Sequence, residues 1–432
     1  MAKSVMLKRK GCIIGEHTHY DSCRFCLQKT LHPFLSFGNV PLAGGFFSKA
    51  ATESDFAQER LYPLEICFCT KCGLVQVSDV VDHHLLFDHY FYHSSAIGTL
   101  VHHFEEYAQT LTAYISPSSS TSVVEIGCND GVFLRPLIRQ GYQVLGVDPA
   151  VNIVTPLLNE LPIMCACFGE QTAQEIVQKQ GKADVILGSN CLAHIDDMHD
   201  VLRGVTCLLK DDGFLSMETH YIGTLLRETQ YDFMYHEHQS YYSLYALEKF
   251  FAMYEMEVFD VQLVPMHGGS IRYFVQKKRT GKRSVTDRVL NLREQEKKLE
   301  LHSLSTFHSF SSRIATAKKD LLELLSSVQK QGKTVAAYGA SGRSTMIMSY
   351  CGITKDQIAY VIDDAPAKIG AFTPGNHLPI VSSAVLRDPQ KRPDYCIILA
   401  WAFADEIVQR NKVYTDLSGV FVVPLPTVKI LS

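Results

Sequence analysis

Short apolar runs alternate with longer stretches of mixed polarity through the middle of the chain. The apolar runs predict five strands, at Val123–Ile126, Gln143–Val147, Ile163–Cys167, Ala183–Leu187 and Gly213–Glu218. Helical segments lie between these strands, and this rhythm is typical of a parallel, doubly wound sheet. Two later strands are predicted at Val258–Leu263 and Ser270–Gln276, so the central region is expected to form an α/β domain.

A second α/β pattern begins near residue 333, with predicted strands at Val335–Tyr338, Ile358–Ile362 and Tyr395–Leu399. No short-period repeat is evident, and the two α/β regions are interpreted as separate domains rather than copies. Between them, residues 277–330 are highly charged and carry leucines at helical spacing. This segment predicts one or two long helices, acting either as a solvated amphipathic spacer or as a partner-binding coiled coil.

The region before the central domain has a different character. Residues 21–80 are turn-rich and carry cysteines, which predicts a small β-rich module with little core of its own. Residues 1–20 are expected to be a loose extension, and a helix is predicted from about Thr99 to Tyr114.

Composition excludes several classes of protein. A length of 432 residues predicts two or three domains. The formal net charge of -4 argues against a general nucleic-acid binder, which needs a basic face to meet phosphates. No apolar run of about 18 residues is free of charge, so neither a transmembrane helix nor a membrane partner is expected. Most of the 13 cysteines stand singly in apolar segments, as in reduced cytosolic proteins, which favours a cytoplasmic location.

The segment Glu125-Ile-Gly-Cys-Asn-Asp-Gly131 joins a predicted strand to a predicted helix. Gly127 and Gly131 would let the backbone approach a ligand where a Cβ would clash. Carboxylates at Glu125 and Asp130 suit the positive sulfonium and ammonium of S-adenosylmethionine, whereas a phosphate site would favour bare amides and lysine. The predicted ligand is therefore S-adenosylmethionine, and Asn129 completes the candidate loop.

Two residues beyond this loop extend the predicted cofactor site. Asp148 ends the next strand and could accept hydrogen bonds from both ribose hydroxyls. Phe168 follows the third strand, where it could pack on adenine or simply belong to the core. An acidic residue such as Asp148 also suits a dinucleotide oxidoreductase, but the loop is not G-x-G-x-x-G; a loop kept only for its turn geometry is the other alternative.

Four cysteines form two pairs with metal-ligand spacing. Cys23-Arg-Phe-Cys26 and Cys69-Thr-Lys-Cys72 could each direct two thiolates at one ion, completing a tetrahedral zinc site. A full set of four protein ligands leaves no open position, so the predicted zinc is structural. Redox pairs and chance spacing are the alternatives.

Titratable groups concentrate between Asp232 and Tyr242, after the strand that ends near Thr219. His194 follows the fourth strand, and ligands of open α/β sheets bind beyond such carboxyl ends. Methylation of carbon needs a base to remove a proton next to a carbonyl, and histidine suits that role near neutral pH. Each histidine taken singly could instead be structural, and a His/Glu metal site is a further alternative without the H-E-x-x-H spacing.

Seven motifs in one order give the chain a family resemblance over roughly residues 20–430. It resembles the sugar C-methyltransferases that act on nucleotide-linked 4-keto-deoxysugars in bacterial antibiotic and cell-surface glycan pathways. The motifs are Cys23-x-x-Cys26, Cys69-Thr-Lys-Cys-Gly-Leu-Val-Gln76, Tyr90-Phe-Tyr-His-Ser-Ser95, Glu125–Gly131, Tyr235-His-Glu-His238, His267-Gly-Gly-Ser-Ile-Arg272 and Tyr338-Gly-Ala-Ser-Gly-Arg343. Gln239 and Cys191 depart from the family pattern.

The resemblance implies an α/β protein in three parts, with the active site in the cleft between them. A zinc-binding β module is expected at residues 20–85, a Rossmann-like methyltransferase domain at 86–280, a helical connector at 281–330 and a C-terminal α/β domain at 331–432. It implies His238 as the base, assisted by Glu237 and Tyr235, with His194 near the sugar or enolate and Tyr90 or Tyr92 reaching in from the N-terminal side. The implied contacts to the nucleotide diphosphate are His267, Ser270, Arg272, Ser341 and Arg343.

The expected reaction is proton abstraction from a dTDP- or GDP-linked 4-keto-6-deoxy sugar, followed by methyl transfer to carbon 3 or carbon 5. The expected protein is a monomer or dimer without a nucleic-acid partner. An O- or N-methyltransferase acting on another small metabolite is the first alternative. A non-enzymatic zinc-ribbon binding module is the second.

Overall fold

A computed structural model describes residues 9, 11–87 and 93–431. The N-terminal module contains six strands and two short helices. These are β1 (Cys12–Ile14), β2 (His17–His19), β3 (Leu31–Pro41), α1 (Glu53–Ala57), β4 (Leu61–Cys69), β5 (Val75–Val77), β6 (Asp79–Val81) and α2 (His83–Phe87). Strands β3, β4 and β5 form an antiparallel sheet, which confirms the predicted β-rich module.

The expectation of a loose extension over residues 1–20 is wrong for its second half. Strands β1 and β2 form a hairpin whose second strand pairs with β6. The His19 Nδ1 atom lies 2.9 Å from Asp79 Oδ1, so a polar contact reinforces this pairing. Because the hairpin takes its partner from residues about 60 positions later, local sequence does not reveal it.

The central domain contains eight strands and seven helices. The strands are β7 (Ser122–Ile126), β8 (Gln143–Asp148), β9 (Ile163–Cys165), β10 (Ala183–Ser189), β11 (Leu209–His220), β12 (Ser240–Tyr241), β13 (Met256–Val264) and β14 (Ser270–Lys277). The helices are α3 (Gly98–Leu111), α4 (Leu134–Gln140), α5 (Val151–Val154), α6 (Glu170–Gln180), α7 (Met198–Leu208), α8 (Ile222–Arg227) and α9 (Leu244–Ala252).

Seven of these strands form one twisted sheet in the order β13-β14-β11-β10-β7-β8-β9. Strands β7 to β11 are parallel, while β14 is antiparallel to both of its neighbours. Side chains alternate between the two faces: Val123 and Val185 join a core under α3 and α4, whereas Val124 and Ile186 join the core on the other face. The doubly wound sheet predicted from alternating strands and helices is confirmed, with strand ends displaced by a few residues.

The strand β12 belongs to a different sheet. Ser240 and Tyr241 pair antiparallel with Gln76 and Val75, so β12 is the fourth strand of the N-terminal sheet β12-β5-β4-β3. Cys23, Cys69 and Cys72 of the first module also pack into a hydrophobic core of the central domain, together with Phe25. The N-terminal module is therefore joined to the central domain by both backbone pairing and side-chain packing.

Two helices, α10 (Asp287–Lys298) and α11 (Leu304–Lys330), connect the two α/β regions as predicted. One face of α11 is buried at helical spacing, at Phe307, Phe310, Ile314, Ala317, Leu321, Leu325 and Val328. These residues share one hydrophobic cluster with the N-terminal sheet and the C-terminal domain, so the helix is part of the core rather than a spacer. Within the described ranges, no helix is both long and apolar enough to cross a bilayer.

The C-terminal domain is a second α/β sheet. Its elements are β15 (Val335–Tyr338), α12 (Gly342–Cys351), β16 (Val361–Ile362), β17 (Ile380–Val381), β18 (Tyr395–Ile398), α13 (Ala404–Arg410), α14 (Lys412–Asp416), β19 (Val420–Val423) and β20 (Lys429–Leu431). The strand order is β17-β16-β15-β18-β19-β20. Its first five strands have the same order and parallel direction as β7 to β11. The sequence pattern did not indicate this shared topology.

A buried ion pair joins the C-terminal domain to the central domain. The Asp232 carboxylate accepts hydrogen bonds from Arg343 Nε at 2.7 Å and from the indole N–H of Trp401 at 2.9 Å. The Arg343 guanidinium also lies over the rings of Phe233 and Trp401, where cation–π attraction adds to the pairing. Asp232 is fully buried, so the loss of its charge would leave Arg343 without its counter-ion.

We expect Asp232→Ala to lower the free energy of unfolding by about 3–5 kcal/mol, because it leaves a largely buried guanidinium unpaired. Chemical denaturation followed by fluorescence of Trp401, the single tryptophan, measures this loss. Lys319→Ala, which breaks an exposed pair with Glu323, is the matched control and should cost less than about 1 kcal/mol. Equal losses in the two variants would contradict the proposed weight of the Asp232 contact.

Candidate active site

The four paired cysteines converge on one point. Their sulfur atoms all lie within 4.8 Å of one another, and Cys23 to Cys72 and Cys26 to Cys69 are each 3.5 Å apart. Cys67, two residues before Cys69 on the same strand, lies outside this group. Four sulfur donors at such separations suit tetrahedral zinc.

Hydrogen bonds to the sulfurs support a metal-bound thiolate cluster. The side-chain amide of Gln76 donates to Cys23 Sγ at 3.2 Å, and the Thr30 hydroxyl lies 3.1 Å from Cys69 Sγ. The backbone N–H of Phe25 also points to Cys23 Sγ. Donors of this kind stabilise the negative charge that a thiolate keeps when it ligates zinc. With all four positions supplied by the chain, zinc here would hold the fold together and leave no place for a reactant.

The predicted cofactor loop has the backbone that its glycines suggested. Gly127, Asn129 and Gly131 all adopt positive φ, at 70°, 48° and 73°. At Gly127 a Cβ would lie 2.5 Å from the Cβ of Cys191, so only glycine fits beside the loop that follows β10. Glycine is therefore required at position 127, because the backbone turns tightly between the ends of β7 and β10.

Acidic groups lie at the carboxyl ends of the strands around this turn. Glu125 is buried with its Oε2 atom unpartnered among the described residues, and Ser189 Oγ at the end of β10 is likewise unpartnered. Burial, with smaller contributions from Asp148 and Asp130, raises the pKa of the Glu125 carboxyl well above its usual value. Unsatisfied buried polar atoms are costly, so these groups fit a site that a polar, positively charged ligand completes.

Asp148 is held by the turn itself. Its two carboxylate oxygens accept the backbone N–H groups of Asn129, at 2.8 Å, and Ala150, at 2.9 Å. Each carboxylate oxygen has a second lone pair for a ribose hydroxyl, so the geometry is compatible with the predicted role. Phe168 is buried in the hydrophobic cluster formed with α6 and α7, and the core accounts for it without a ligand.

Asn129 and Asp130 bind a neighbouring segment of the chain. Asn129 Oδ1 accepts the backbone N–H of Ser94, and Asp130 Oδ2 accepts both the N–H and the hydroxyl of Ser95. The cofactor loop thus fixes the residues that follow the predicted Tyr90 and Tyr92. Those two tyrosines themselves lie outside the described residues.

Aromatic rings gather around His238. Its ring centroid lies 4.1 Å from that of Tyr235 and 5.1 Å from that of His194. Phe233 stacks on a further side at 5.3 Å. The structure therefore brings together the three predicted residues His194, Tyr235 and His238, although they come from two separate loops.

The hydrogen bond of His238 determines its tautomer. Its Nδ1 lies 2.7 Å from the carbonyl oxygen of Phe233, and since a carbonyl can only accept, Nδ1 carries the hydrogen. The Nε2 atom is then the unprotonated nitrogen. Burial, followed by the influence of His220 and His194, holds the pKa of His238 well below its usual value, so the ring is neutral at neutral pH. This is the form a general base requires.

Glu237, the carboxylate expected to assist His238, does not orient the ring of that histidine. No hydrogen bond joins it to His238 in the described structure, and the carbonyl of Phe233 orients the ring instead. Burial raises the pKa of the Glu237 carboxyl to about 7, so it exchanges a proton near neutral pH. His236 faces the other way, with its ring 6.1 Å from that of Tyr62 in the N-terminal module.

His220 is a site residue that sequence reasoning missed. It is the last residue of β11, and its ring centroid lies 4.8 Å from that of His238. Its Nε2 atom is buried and has no partner among the described residues. The missed signal was position: the strand was predicted to end at Glu218, and a histidine two residues farther on falls at the carboxyl edge of the sheet.

Of the three predicted nucleotide contacts around the turn from β13 to β14, Ser270 and Arg272 have hydrogen-bond partners within the chain. Ser270 donates its hydroxyl to the carbonyl of Met266, and Arg272 Nε donates to Glu218 at 2.5 Å inside the central domain. The same Glu218 carboxylate lies 2.6 Å from His103 Nε2. His267 sits at φ 55° in the turn, and burial lowers its pKa to about 4. Contacts of these residues to a substrate remain a prediction.

The loop after β15 repeats the arrangement seen at Asp148. Asp363, at the end of β16, accepts the backbone N–H groups of Ala340 and Ala365, each at 2.8 Å. Ser341 caps the following helix by accepting the N–H of Ser344, and Arg343 reaches Asp232. The turn after β15 thus repeats the aspartate-to-backbone hydrogen bonds of the predicted cofactor turn, and Arg343 links it to the segment that holds His238.

Comparison with known proteins follows the same three-part division. Three family models match successive parts of the chain: a putative zinc binding domain over residues 23–87, a methyltransferase domain over 100–260, and a C-methyltransferase C-terminal domain over 265–426. Over 418 residues the chain is 32% identical to the C-methyltransferase NovU of Streptomyces niveus, covering 95% of this chain and 97% of that protein.

Other similarities are confined to part of the chain. A ubiquinone biosynthesis O-methyltransferase of Rhodopseudomonas palustris is 29% identical over 121 residues, covering 27% of this chain and 45% of that protein. Among solved structures, the PH0226 protein from Pyrococcus horikoshii is 14% identical with a TM-score of 0.36, covering 45% of this chain and 98% of its own.

The buried histidines make stability dependent on acid. Burial lowers the pKa of His194, His236 and His267 to about 4 and that of His220 to about 3. As the pH falls below about 6.5, the unfolded chain binds protons that the folded chain does not, so the free energy of unfolding decreases until the folded pKa is reached.

We expect His236→Gln to reduce this slope by about 1 kcal/mol per pH unit between pH 6 and 5, because one depressed titration is removed. Urea unfolding at several pH values measures it. His308→Gln, at an exposed position on α11, is the control and should leave the slope unchanged. A wild-type slope retained in His236→Gln would argue against a neutral, buried His236.

Proposed function

The chain belongs to the C-methyltransferase family, and from that premise we propose that it methylates a carbon of a nucleotide-linked 4-keto-6-deoxy sugar. It is a methyltransferase that uses S-adenosylmethionine and carries zinc in its N-terminal module. The proposed acceptor is carbon 3 or carbon 5, both of which the 4-ketone acidifies. We further propose dTDP or GDP as the nucleotide and a cytoplasmic location.

The observation that carries this proposal is the neutral imidazole of His238. Its Nδ1–H is bound by the carbonyl of Phe233, which leaves the Nε2 lone pair for a proton. Methyl transfer to a carbon needs such a base, whereas methyl transfer to the oxygen of a hydroxyl or the nitrogen of an amine depends less on a base. A buried setting also keeps the base free of competing water.

The proposed reaction moves one proton and one electron pair before the methyl group is transferred. His238 Nε2 would take the proton from the sugar carbon, and the electrons of that C–H bond would delocalise onto the 4-keto oxygen as an enolate. Bound S-adenosylmethionine supplies an electrophilic methyl group on a positively charged sulfur. Tyr235, and His194 in a suitably protonated form, are the proposed hydrogen-bond donors to the enolate oxygen, because their rings lie beside His238.

Glu237 is proposed as the group that returns the site to its starting state. With its pKa near 7, it can accept the proton that the imidazolium of His238 must release before another turnover. The residue is partly exposed, so it can pass that proton on to solvent. Tyr90 and Tyr92 stay as predicted contacts from the N-terminal side.

The nucleotide is assigned to the loop of the C-terminal domain. The turn around Ala340, with Asp363 bound to two backbone amides, matches the turn around Asn129 with Asp148. One domain would then hold the methyl donor and the other the nucleoside of the substrate. Ser341 and Arg343 lie at the mouth of this loop, with His267, Ser270 and Arg272 proposed on the facing side.

We expect His238→Ala to reduce methyl transfer by at least about 10²-fold, since a positioned base contributes rate in that range. Solvent deuterium exchange at the sugar carbon, measured without methyl donor, should disappear in the same variant. Binding of S-adenosylmethionine should stay near the wild-type affinity, because His238 is not in the cofactor loop.

His308→Ala on the exposed face of α11 is the control for a lost imidazole. Full exchange and turnover in His238→Ala would overturn the assignment of the base. Exchange absent from the wild-type enzyme with every keto-sugar nucleotide tested would overturn carbon methylation itself.

The substrate class is tested by mass spectrometry of a panel of keto-sugar nucleotides incubated with enzyme and S-adenosylmethionine. A gain of one methyl group is expected with a dTDP- or GDP-linked 4-keto-6-deoxy sugar, and the same sugar without its nucleotide should react far more slowly. NMR of the product distinguishes carbon 3 from carbon 5. Equal rates with and without the nucleotide would contradict a nucleotide site in the C-terminal domain.

A further inference from the structure

Arg24 directly follows the first zinc-site cysteine, and its side chain points away from the metal cluster. In Cys23-Arg-Phe-Cys26, the side chain of Arg24 is almost fully buried, although arginine is rarely so. Its backbone N–H donates to the Gln76 side chain, which itself donates to Cys23 Sγ. The cluster therefore fixes the position from which the Arg24 side chain leaves.

The Arg24 guanidinium reaches the segment that begins directly after His238. Its Nη1 donates to the backbone carbonyl of Gln239 and, at 3.0 Å, to the hydroxyl of Ser240. The pairing of β12 with β5 holds the same residues from the other side. The residue directly after His238 is thus held by a hydrogen bond from the zinc module.

The other edge of the same guanidinium reaches the loop that carries His194. Nε and Nη2 of Arg24 donate to Asp196 Oδ1 at 3.2 and 3.1 Å. Arg9 and Tyr20, also from the N-terminal region, donate to the same carboxylate at 2.6 and 3.1 Å. Asp196 stands two residues after His194, so its position limits where that histidine can lie.

The two gripped loops are also bonded to each other. The N–H of Gln239 donates to the carbonyl of Ala193 at 2.8 Å, and the hydroxyl of Tyr242 donates to the carbonyl of Leu192 at 2.9 Å. One planar guanidinium therefore spans a pair of short loops that lack long regular structure. The two histidine rings they carry stack at 5.1 Å.

From these contacts we propose that Arg24 is a positioning residue, through which the zinc module sets the spacing and orientation of His194 and His238. The inference rests on the proposed function for its catalytic consequence, but its structural content does not. Zinc would then contribute to the reaction at a distance, by fixing the base of the Arg24 side chain.

The chemistry of arginine suits this role. Its five N–H donors lie in one plane and point to two edges, so a single side chain can hold a carboxylate and a carbonyl at once. A lysine has one point charge on a flexible stem and could satisfy one loop only. Arg24→Lys therefore keeps the charge but not the span.

The test uses full-length, zinc-loaded protein with Arg24→Met and Arg24→Lys, compared with Arg60→Ala. Arg60 belongs to the same module and forms an exposed ion pair with Glu16, so it controls for the loss of an arginine. Long-range ¹H–¹⁵N spectra of histidine-labelled protein report ring tautomer and environment, with His238→Gln and His194→Gln used for assignment. Zinc content and S-adenosylmethionine affinity are measured on the same samples.

We expect Arg24→Met to retain one zinc per chain and near-wild-type affinity for the methyl donor, while the signals of both histidines shift or broaden. The kcat for methyl transfer should fall about 10²-fold, the cost of a displacement of about 1 Å at a reacting group, with a smaller change in KM. Arg24→Lys should recover only part of the loss. Unchanged histidine signals and unchanged kcat in Arg24→Met would overturn the inference.

Asp196→Asn provides a second route if Arg24→Met does not fold. It weakens the carboxylate contact from the opposite side and leaves the cysteine segment intact, so the His194 signal should move more than that of His238. No movement of either signal would overturn the role of the Arg24–Asp196 contact. Should the wild-type protein show no activity on any keto-sugar, the spectra still decide the inference, and the proposed function fails alone.

Discussion

The pairing of Ser240 and Tyr241 with Val75 and Gln76 is the constraint on which the active-site geometry depends. The chain between α8 and α9 has little regular structure of its own, and it carries His236 and His238. A strand of two residues is stable only when it extends an existing sheet. Here that sheet is the N-terminal one, whose strand β5 follows the second cysteine pair. The zinc cluster, the N-terminal sheet and the His238 loop therefore form one cooperative unit rather than a module beside an enzyme.

The two α/β domains that contact this unit share one strand topology. Each has its first five strands in the same order, and each ends its second strand in an aspartate bound by two backbone amides, Asp148 in one and Asp363 in the other. Between them lies the Asp232 ion pair to Arg343, which ties the loop of the C-terminal domain to the histidine segment.

Much of the fold followed from local patterns. Short apolar runs predicted all seven strands of the central sheet and three of the six strands of the C-terminal sheet, because each face of a central strand packs on a hydrophobic core. Errors arose where partners are distant in sequence: β1 and β2 depend on β6, and β12 depends on β5. The helix α11 showed the same effect, since a charged, amphipathic segment can be a spacer or a core helix until its partners are known.

Local sequence was enough to predict the zinc ligands, the cofactor turn and the residue types available for acid–base chemistry, because cysteine spacing and glycine backbone preferences act over a few residues. The tertiary structure was needed to show which polar groups have hydrogen-bond partners within the chain. Arg272 and Ser270 have internal partners, whereas His220 entered the site from the end of a strand. The physical reason is that a buried polar group takes its nearest partner in space, and that partner can lie anywhere along the chain.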